Sequence, residues 1–298
     1  MNNRLTQSER TDSKEDTSFM PMVTIITPVL NGVRYLELCV ESVLKQRYPH
    51  IEHVFIDGVS TDGTVGLLTA LSRKYPEKIR FISEPDNGAY DADNKGIVMA
   101  CGEIIGFLGV DDTYEPGAIQ AVAQYFADHP DVFIVYGDNN CIDANGEFII
   151  CSRSEEFDLK KTIHGSVGAP GASIFYRKEI FNKIGVFDQL VSDLDFIIRA
   201  GKVVKIHRLD RILCNNRIHK GSITWGSWEG RKKQMRNHCI VSRRHGGGIF
   251  SGYCRIYYSY VLLDWFRPVF GPIYPFIGRL TGKNIGKTKD DWAIRIKG

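Results

Sequence analysis

From Val23 onward the chain alternates short β-branched runs with amphipathic helical stripes, and this alternation restricts the fold more than any other feature. Val23-Thr24-Ile25-Ile26-Thr27-Pro28-Val29 reads as a buried strand that meets Pro28 and then an Asn31-Gly32 turn. Leu36, Cys39, Val40, Val43 and Leu44 follow at helical spacing. The strand His53-Val54-Phe55-Ile56, a helix marked by Val65, Leu68 and Leu71, and the strand Arg80-Phe81-Ile82-Ser83 complete a β-α-β-α-β series. Short connections of this kind imply a parallel sheet with right-handed crossovers. The pattern continues through a helix from Asp93 to Ala100, the strand Ile104-Ile105-Gly106-Phe107-Leu108, a helix around Ile119, Val122 and Phe126, and the strand Val132-Phe133-Ile134-Val135-Tyr136. No internal repeat is visible.

Beyond Gly137 the alternation loosens into expected antiparallel pieces: Phe148-Ile149-Ile150-Cys151, Ser173-Ile174-Phe175-Tyr176 and Val203-Val204-Lys205-Ile206. The 298 residues, 43% of them hydrophobic, suit one large α/β domain with additions. The expected organisation is a polar disordered tail over 1–20, an α/β domain over 21–224 and a basic, aromatic helical extension over 225–298. The domain divides into a regularly alternating half, 21–137, and a looser half, 138–224. The tail lacks the apolar stretch of a secretory signal, so a cytoplasmic protein is expected. Thirty-eight basic against 35 acidic side chains leave a formal charge of +3, too little to point to nucleic acid. Seven scattered cysteines with no C-x-x-C pair read as reduced thiols packed as small apolar groups.

An α/β sheet binds its ligand in loops beyond the carboxyl ends of its parallel strands, and three such loops here hold acids, amides and glycines. They are 27–32, 57–64 and Gly109-Val110-Asp111-Asp112. The last places two adjacent aspartates after an apolar strand, where carboxylates without partners cost stability. A divalent metal holding a diphosphate suits them, since Mg²⁺ or Mn²⁺ needs only one or two protein carboxylates beside substrate phosphates. Capping of a helix beginning near Pro116 is the competing reading.

In these residues the sequence resembles the family 2 glycosyltransferases over roughly 23–221. The resemblance rests on Thr27-Pro28-Val29-Leu30-Asn31-Gly32, Ile56-Asp57-Gly58-Val59-Ser60-Thr61-Asp62-Gly63-Thr64, Glu84-Pro85-Asp86-Asn87-Gly88-Ala89-Tyr90-Asp91-Ala92-Asp93-Asn94-Lys95-Gly96 and the run from Gly102 to Asp112, in that order. It implies a GT-A, Rossmann-like single domain with a mostly parallel central sheet flanked by helices. It also implies transfer, with inversion, of a sugar from a nucleotide-diphosphate donor to a saccharide or lipid-linked saccharide, in cell-surface polysaccharide or glycan synthesis. By the same resemblance Thr27, Pro28 and Asn31 border the nucleotide and Asp57 approaches base and ribose. Asp91 and Asn94 take donor roles, Asp111 meets ribose or diphosphate, and Asp112 holds Mn²⁺ or Mg²⁺ with Asp111 and His219 as further candidates. The resemblance makes 21–137 the nucleotide-binding half and 138–224 the acceptor half. Three departures stand out: relatives commonly show a small polar residue or an aspartate where Val110 stands, many carry two successive acids where Asp57-Gly58 stand, and many an arginine or an apolar residue where Asp93 stands.

A second acid cluster, Ser192-Asp193-Leu194-Asp195, resembles the helix start that supplies the base in inverting relatives. An acceptor hydroxyl is a poor nucleophile and needs a positioned carboxylate. Asp193 is assigned that role with Asp195 in reserve, although acids in a first helical turn also complement the helix dipole. Gly168-Ala169-Pro170-Gly171-Ala172 reads as an acceptor wall or a plain turn, and His219 as a metal or diphosphate contact or a solvated loop histidine. In the extension, Arg231, Lys232, Lys233, Arg236, Arg243 and Arg244 precede an aromatic stretch over 250–276. That combination suits a helix lying at an anionic membrane surface, or helices packed on the domain or on a second copy in a homo-oligomer. Interrupting charges and prolines exclude a spanning helix. A non-catalytic binding protein of the same fold and a sugar nucleotidyltransferase remain as alternatives. A dinucleotide oxidoreductase fails for want of a G-x-G-x-x-G turn after the first strand.

Overall fold

The computed structural model describes residues 20–165, 173–188, 193–222 and 227–270, with 263–270 described by backbone only. The expected tail, the segment Gly168 to Ala172, Ser192 and the stretch beyond 270 lie outside the described residues. The first half follows the strand–helix alternation: β1 (Val23–Val29), α1 (Val33–Leu44), β2 (Ile51–Asp57), α2 (Thr64–Lys74), β3 (Ile79–Ser83), α3 (Ala89–Met99) and β4 (Ile104–Phe107). Then come β5 (Thr113–Tyr114), α4 (Ala118–Asp128), β6 (Val132–Ile142), β7 (Phe148–Ser152), α5 (Leu159–His164), β8 (Ile174–Arg177), α6 (Glu179–Ile184), α7 (Asp193–Gly201) and β9 (Lys205–Arg217). Helices α8 (Trp228–Arg244) and α9 (Gly252–Phe270) form the extension.

All described strands join one sheet in the order β3-β2-β1-β4-β8-β6-β9-β5, with β7 on β6. Strands β1 to β4 run parallel, and β1 pairs with both β2 and β4. The chain thus winds outward to β3 and returns to the other side of β1. That reversal opens a crevice between the carboxyl ends of β1 and β4. Both faces are covered. Cys39 and Val43 of α1 pack with Ile119, Val122 and Phe126 of α4 on one face. Ala92 and Ile97 of α3 pack with Phe181 of α6 and Phe196 and Ile197 of α7 on the other.

Two expectations about the second half change. The strand expected over 203–206 begins at Lys205 and runs parallel to β6, not antiparallel, meeting β5 in antiparallel register. Strand direction is set by where a crossover returns, which local residue patterning does not encode. The cysteines are also not all reduced, because Cys239 of α8 and Cys254 of α9 form a disulfide. The extension is tied to the domain through a cluster of Leu194, Ile198, Val241 and Tyr253.

Candidate active site

Three loops meet at the crevice, and each is fixed by its neighbour. Asn31 takes a left-handed backbone, φ 54°, and its Oδ1 accepts the Thr61 N–H at 2.8 Å. Its own N–H donates to Ser60 Oγ at 2.7 Å. Asp62 accepts the Val33 N–H at 3.0 Å, which caps α1 from the neighbouring loop, since Gly32 has no side chain to do so. Val59, a β-branched residue at φ 65°, marks the same loop as strained.

Asp57 is fully buried at the end of β2. Its Oδ2 accepts the Ser60 N–H at 3.0 Å and the Ser83 hydroxyl at 2.6 Å, while Oδ1 has no partner. A buried carboxylate oxygen left without a donor is costly and suits a ligand N–H or O–H. Gly58 leaves room for Asp86, whose Oδ2 lies 2.6 Å from where a Cβ at 58 would sit. The loop after β3 therefore brings a carboxylate against the position that follows Asp57. Sequence reading gave Asp86 no role, and the only signal for it was the bare glycine at 58.

After β4 the chain turns at Gly109, where Asp111 Oδ1 and Asp112 Oδ2 each come within 2.9 Å of the point a Cβ would occupy. The two carboxylates thus converge on one small volume. Asp112 is 7% exposed, and burial together with the Asp111 charge holds its carboxyl well above the usual range, partly offset by Arg217. Helix α4 starts after Gly117 with no side-chain cap, so neither aspartate serves as its cap. Strand pairing explains what faces them. β5 sets Thr113 opposite Asn215 of β9, so the chain leaving β9 passes over the aspartates. Arg217 donates its N–H to Asp112 Oδ1 at 2.7 Å and its Nε–H to the Asp111 carbonyl at 2.9 Å. Its guanidinium lies 4.9 Å from the Tyr35 ring centre. Arg217 was missed because it reads locally as an ordinary strand-end arginine. His219 Nε2 reaches Asp111 Oδ2 at 2.9 Å, so the histidine joins the aspartate pair and is not a solvated loop residue. Among the described residues no group of three His, Cys, Asp or Glu is arranged as a metal cluster.

A cavity of about 160 Å³ connects this region to the start of α7, lined by Pro28, Tyr90, Asp93, Gly109, Tyr176 and Asp193 among others. Asp193 Oδ1 accepts the Leu194 N–H at 2.9 Å, and the Tyr90 hydroxyl lies 3.4 Å from it. His238 of α8 sits behind, 8% exposed, both ring nitrogens without partners and its ring edge-on to Tyr253 at 5.1 Å.

Three of the expected site residues are otherwise engaged. The Thr27 side chain is fully buried and bonds His53 Nε2 at 2.8 Å, so its hydroxyl is turned to β2. Asn94 donates to the Phe187 carbonyl at 2.9 Å and accepts the Phe187 N–H at 3.1 Å, which makes it a strut. Asp195 lies on another side of α7, bound to Arg199 Nε at 2.8 Å, His245 Nε2 at 2.9 Å and Arg244 at 3.3 Å. Burial works against its charge, yet the His245 and Arg199 contacts hold the carboxyl below the usual range, which suits a structural ion and not a reserve base. Asp91 accepts the Asn87 backbone N–H at 2.9 Å at the entry to α3.

Residues 24–185 match the family model described as Glycosyl transferase family 2. The chain belongs to this family. The glycosyltransferase is 32% identical over 184 residues to a PGL/p-HBAD biosynthesis glycosyltransferase of Mycobacterium tuberculosis, covering 60% of this chain and 70% of the relative. It is 30% identical over 209 residues to a glycosyltransferase of Nostoc sp., covering 66% and 65%. Its GT-A-type fold is shared with a mannosyltransferase of Pyrobaculum calidifontis solved with GDP-Man and Mn²⁺, at TM-score 0.62 and 18% identity over 94% of this chain and 85% of that one. TarS of S. aureus in complex with UDP-GlcNAc superposes at TM-score 0.55 and 18% identity, over 84% and 74%.

Proposed function

We propose that this glycosyltransferase moves a sugar, with inversion, from a nucleotide-diphosphate donor to a saccharide or lipid-linked saccharide, with Asp193 as the base. The observation that carries this reading is the single cavity bordered by Pro28 and Gly109 at one end and Asp193 at the other. A sugar held there sits between the nucleotide loops and a carboxylate. As the acceptor oxygen attacks the anomeric carbon, Asp193 takes its proton and the bond from that carbon to the diphosphate breaks. Tyr90 orients Asp193 through its hydroxyl. The partnerless Asp57 Oδ1 accepts from the base or ribose.

The residues at Gly109 fit a divalent cation, because two carboxylate oxygens converge there and the pair is electrostatically unfavourable alone. Asp112 and Asp111, with His219 beside them, would hold Mn²⁺ or Mg²⁺, which supplies charge stabilisation for the departing diphosphate. The mannosyltransferase neighbour bound to Mn²⁺ supports this assignment by fold. Among the described residues no helix is long and apolar enough to cross a membrane. The extension instead offers Ile249 and Phe250, 51% and 80% exposed, and a separate cavity lined by Arg236 and Arg243, which supports contact with an anionic membrane surface.

The test is Asp193→Asn. Turnover should fall by about 10² to 10⁴ while nucleotide affinity is retained. Undiminished turnover in Asp193→Asn would remove Asp193 as the base, and a wild type that binds the donor without turning it over would favour a non-catalytic binding protein.

A further inference from the structure

Asp93 is the one acid of the cavity that the reaction above leaves without a task. It projects from α3 and is 8% exposed, and its Oδ1 has no hydrogen-bond partner. It lines the same cavity as Asp193, together with Tyr90 and Tyr176. Leaving a buried carboxyl oxygen unmatched costs about 1–3 kcal/mol, so a fold that keeps such a carboxyl in a cavity wall is prepared for a ligand donor or acceptor. At about 160 Å³ the cavity has room for one sugar ring and not for a nucleotide. Its aromatic walls, Tyr90, Phe107, Tyr176 and Phe187, suit a ring's apolar faces, and Asp93 supplies the polar contact among them.

The side chain is also held in place. Gly96, one turn along α3, lets the helix approach β1 so closely that a Cβ there would lie 2.3 Å from Ile26 Cγ2. Asn94 fastens the same helix to the backbone of Phe187. Such fixing is what selective hydroxyl recognition requires.

We propose that the Asp93 carboxyl hydrogen-bonds a hydroxyl of the transferred sugar ring and so sets which donor sugar the cavity accepts. This rests on the donor-site reading given above. Burial, and secondly the negative charge of Asp193, push the Asp93 carboxyl well above the usual range. Both effects favour the neutral acid, which can donate to one hydroxyl oxygen and accept from another. A site built around such a pair rejects sugars lacking the hydroxyl far more strongly than an apolar wall does.

The experiment titrates wild type, Asp93→Asn and Asp93→Val with UDP, UDP-GlcNAc, GDP and GDP-mannose in Mn²⁺ by calorimetry, after thermal melts show all three folded. For the nucleotide that the wild type binds, all three proteins should hold the bare diphosphate within about threefold. Asp93→Val should weaken the matching sugar nucleotide about tenfold or more relative to the diphosphate, the loss of one hydrogen bond of about 1.4 kcal/mol. Asp93→Asn, a neutral group of the same shape, should keep that ratio within about threefold. An unchanged ratio in the valine variant overturns the inference while leaving the donor site standing. A wild type that binds no nucleotide removes the donor site and the inference together.

Discussion

Thr27 Oγ1 and His53 Nε2 lie 2.8 Å apart inside the sheet, joining β1 to β2 where the first loop of the crevice begins. Both residues are buried, and His53 Nδ1 has no partner. Burial lowers the ring's pKa to about 3. In the unfolded chain the ring takes up its proton near pH ~6.5. Between those values the unfolded state binds more protons, so stability is fully present above the unfolded pKa and is lost as the pH falls toward 3. One such group contributes about 1.4 kcal/mol per pH unit. Urea denaturation at pH 7, 6, 5 and 4.5 should show His53→Gln losing about that much less per unit than wild type below pH 6. Parallel curves would mean that His53 is protonated in the fold.

The α8–α9 turn carries a second expectation. Ile249 and Phe250 are 51% and 80% exposed, and Arg236 and Arg243 line a cavity of about 550 Å³ with Tyr257 and Tyr258. An interfacial contact joins apolar insertion to attraction for anionic headgroups at about 1 kcal/mol per basic residue. In flotation assays the protein should rise with phosphatidylserine-containing vesicles more than with phosphatidylcholine alone. Phe250→Ser and Arg243→Glu should each reduce that recovery, the arginine variant in a salt-dependent way. Equal absence from both vesicle types would leave this face to protein contacts.

Sequence legibility followed the range of the interaction. Helices α1 to α3 show in residue spacing because each buries one periodic face, and β1, β2 and β4 show as short apolar runs because the sheet is covered on both sides. The aspartates 111 and 112 and the acid at 193 were visible because carboxylates after an apolar strand or at a helix entry are locally conspicuous. The partner of the Thr27 hydroxyl was not legible because the pleat turns that side chain to His53, a residue of another strand. Asn94 looked like a ligand because its partner, Phe187, is 93 positions away. Arg217 and Asp86 gave no signal for the same reason: their roles exist only once β9 meets β5 and the loop after β3 folds against Gly58. The pairing of Cys239 with Cys254 depends on two helices turning back on each other, and their spacing matches no motif.

Two helical glycines separate packing from propensity. Gly96 sits in α3 and Gly66 in α2, and replacing either by alanine improves intrinsic helix propensity by about 0.8–1 kcal/mol. At Gly66 a Cβ meets nothing within 4 Å, so Gly66→Ala should stabilise by about that amount. At Gly96 the Cβ would lie 2.3 Å from Ile26 Cγ2 and 3.2 Å from two further atoms of the same side chain. Ile26 is fully buried in β1 and cannot swing aside, so overpacking of about 1–3 kcal/mol outweighs the propensity gain. Gly96→Ala should therefore unfold at lower urea than wild type, and Gly66→Ala at higher. Moving α3 away from β1 also moves Asp93 away from the cavity, so Gly96→Ala should lose affinity for the sugar nucleotide more than for the bare diphosphate. If both alanine variants shift stability in the same direction, close approach of α3 to β1 is not the reason for a glycine at 96.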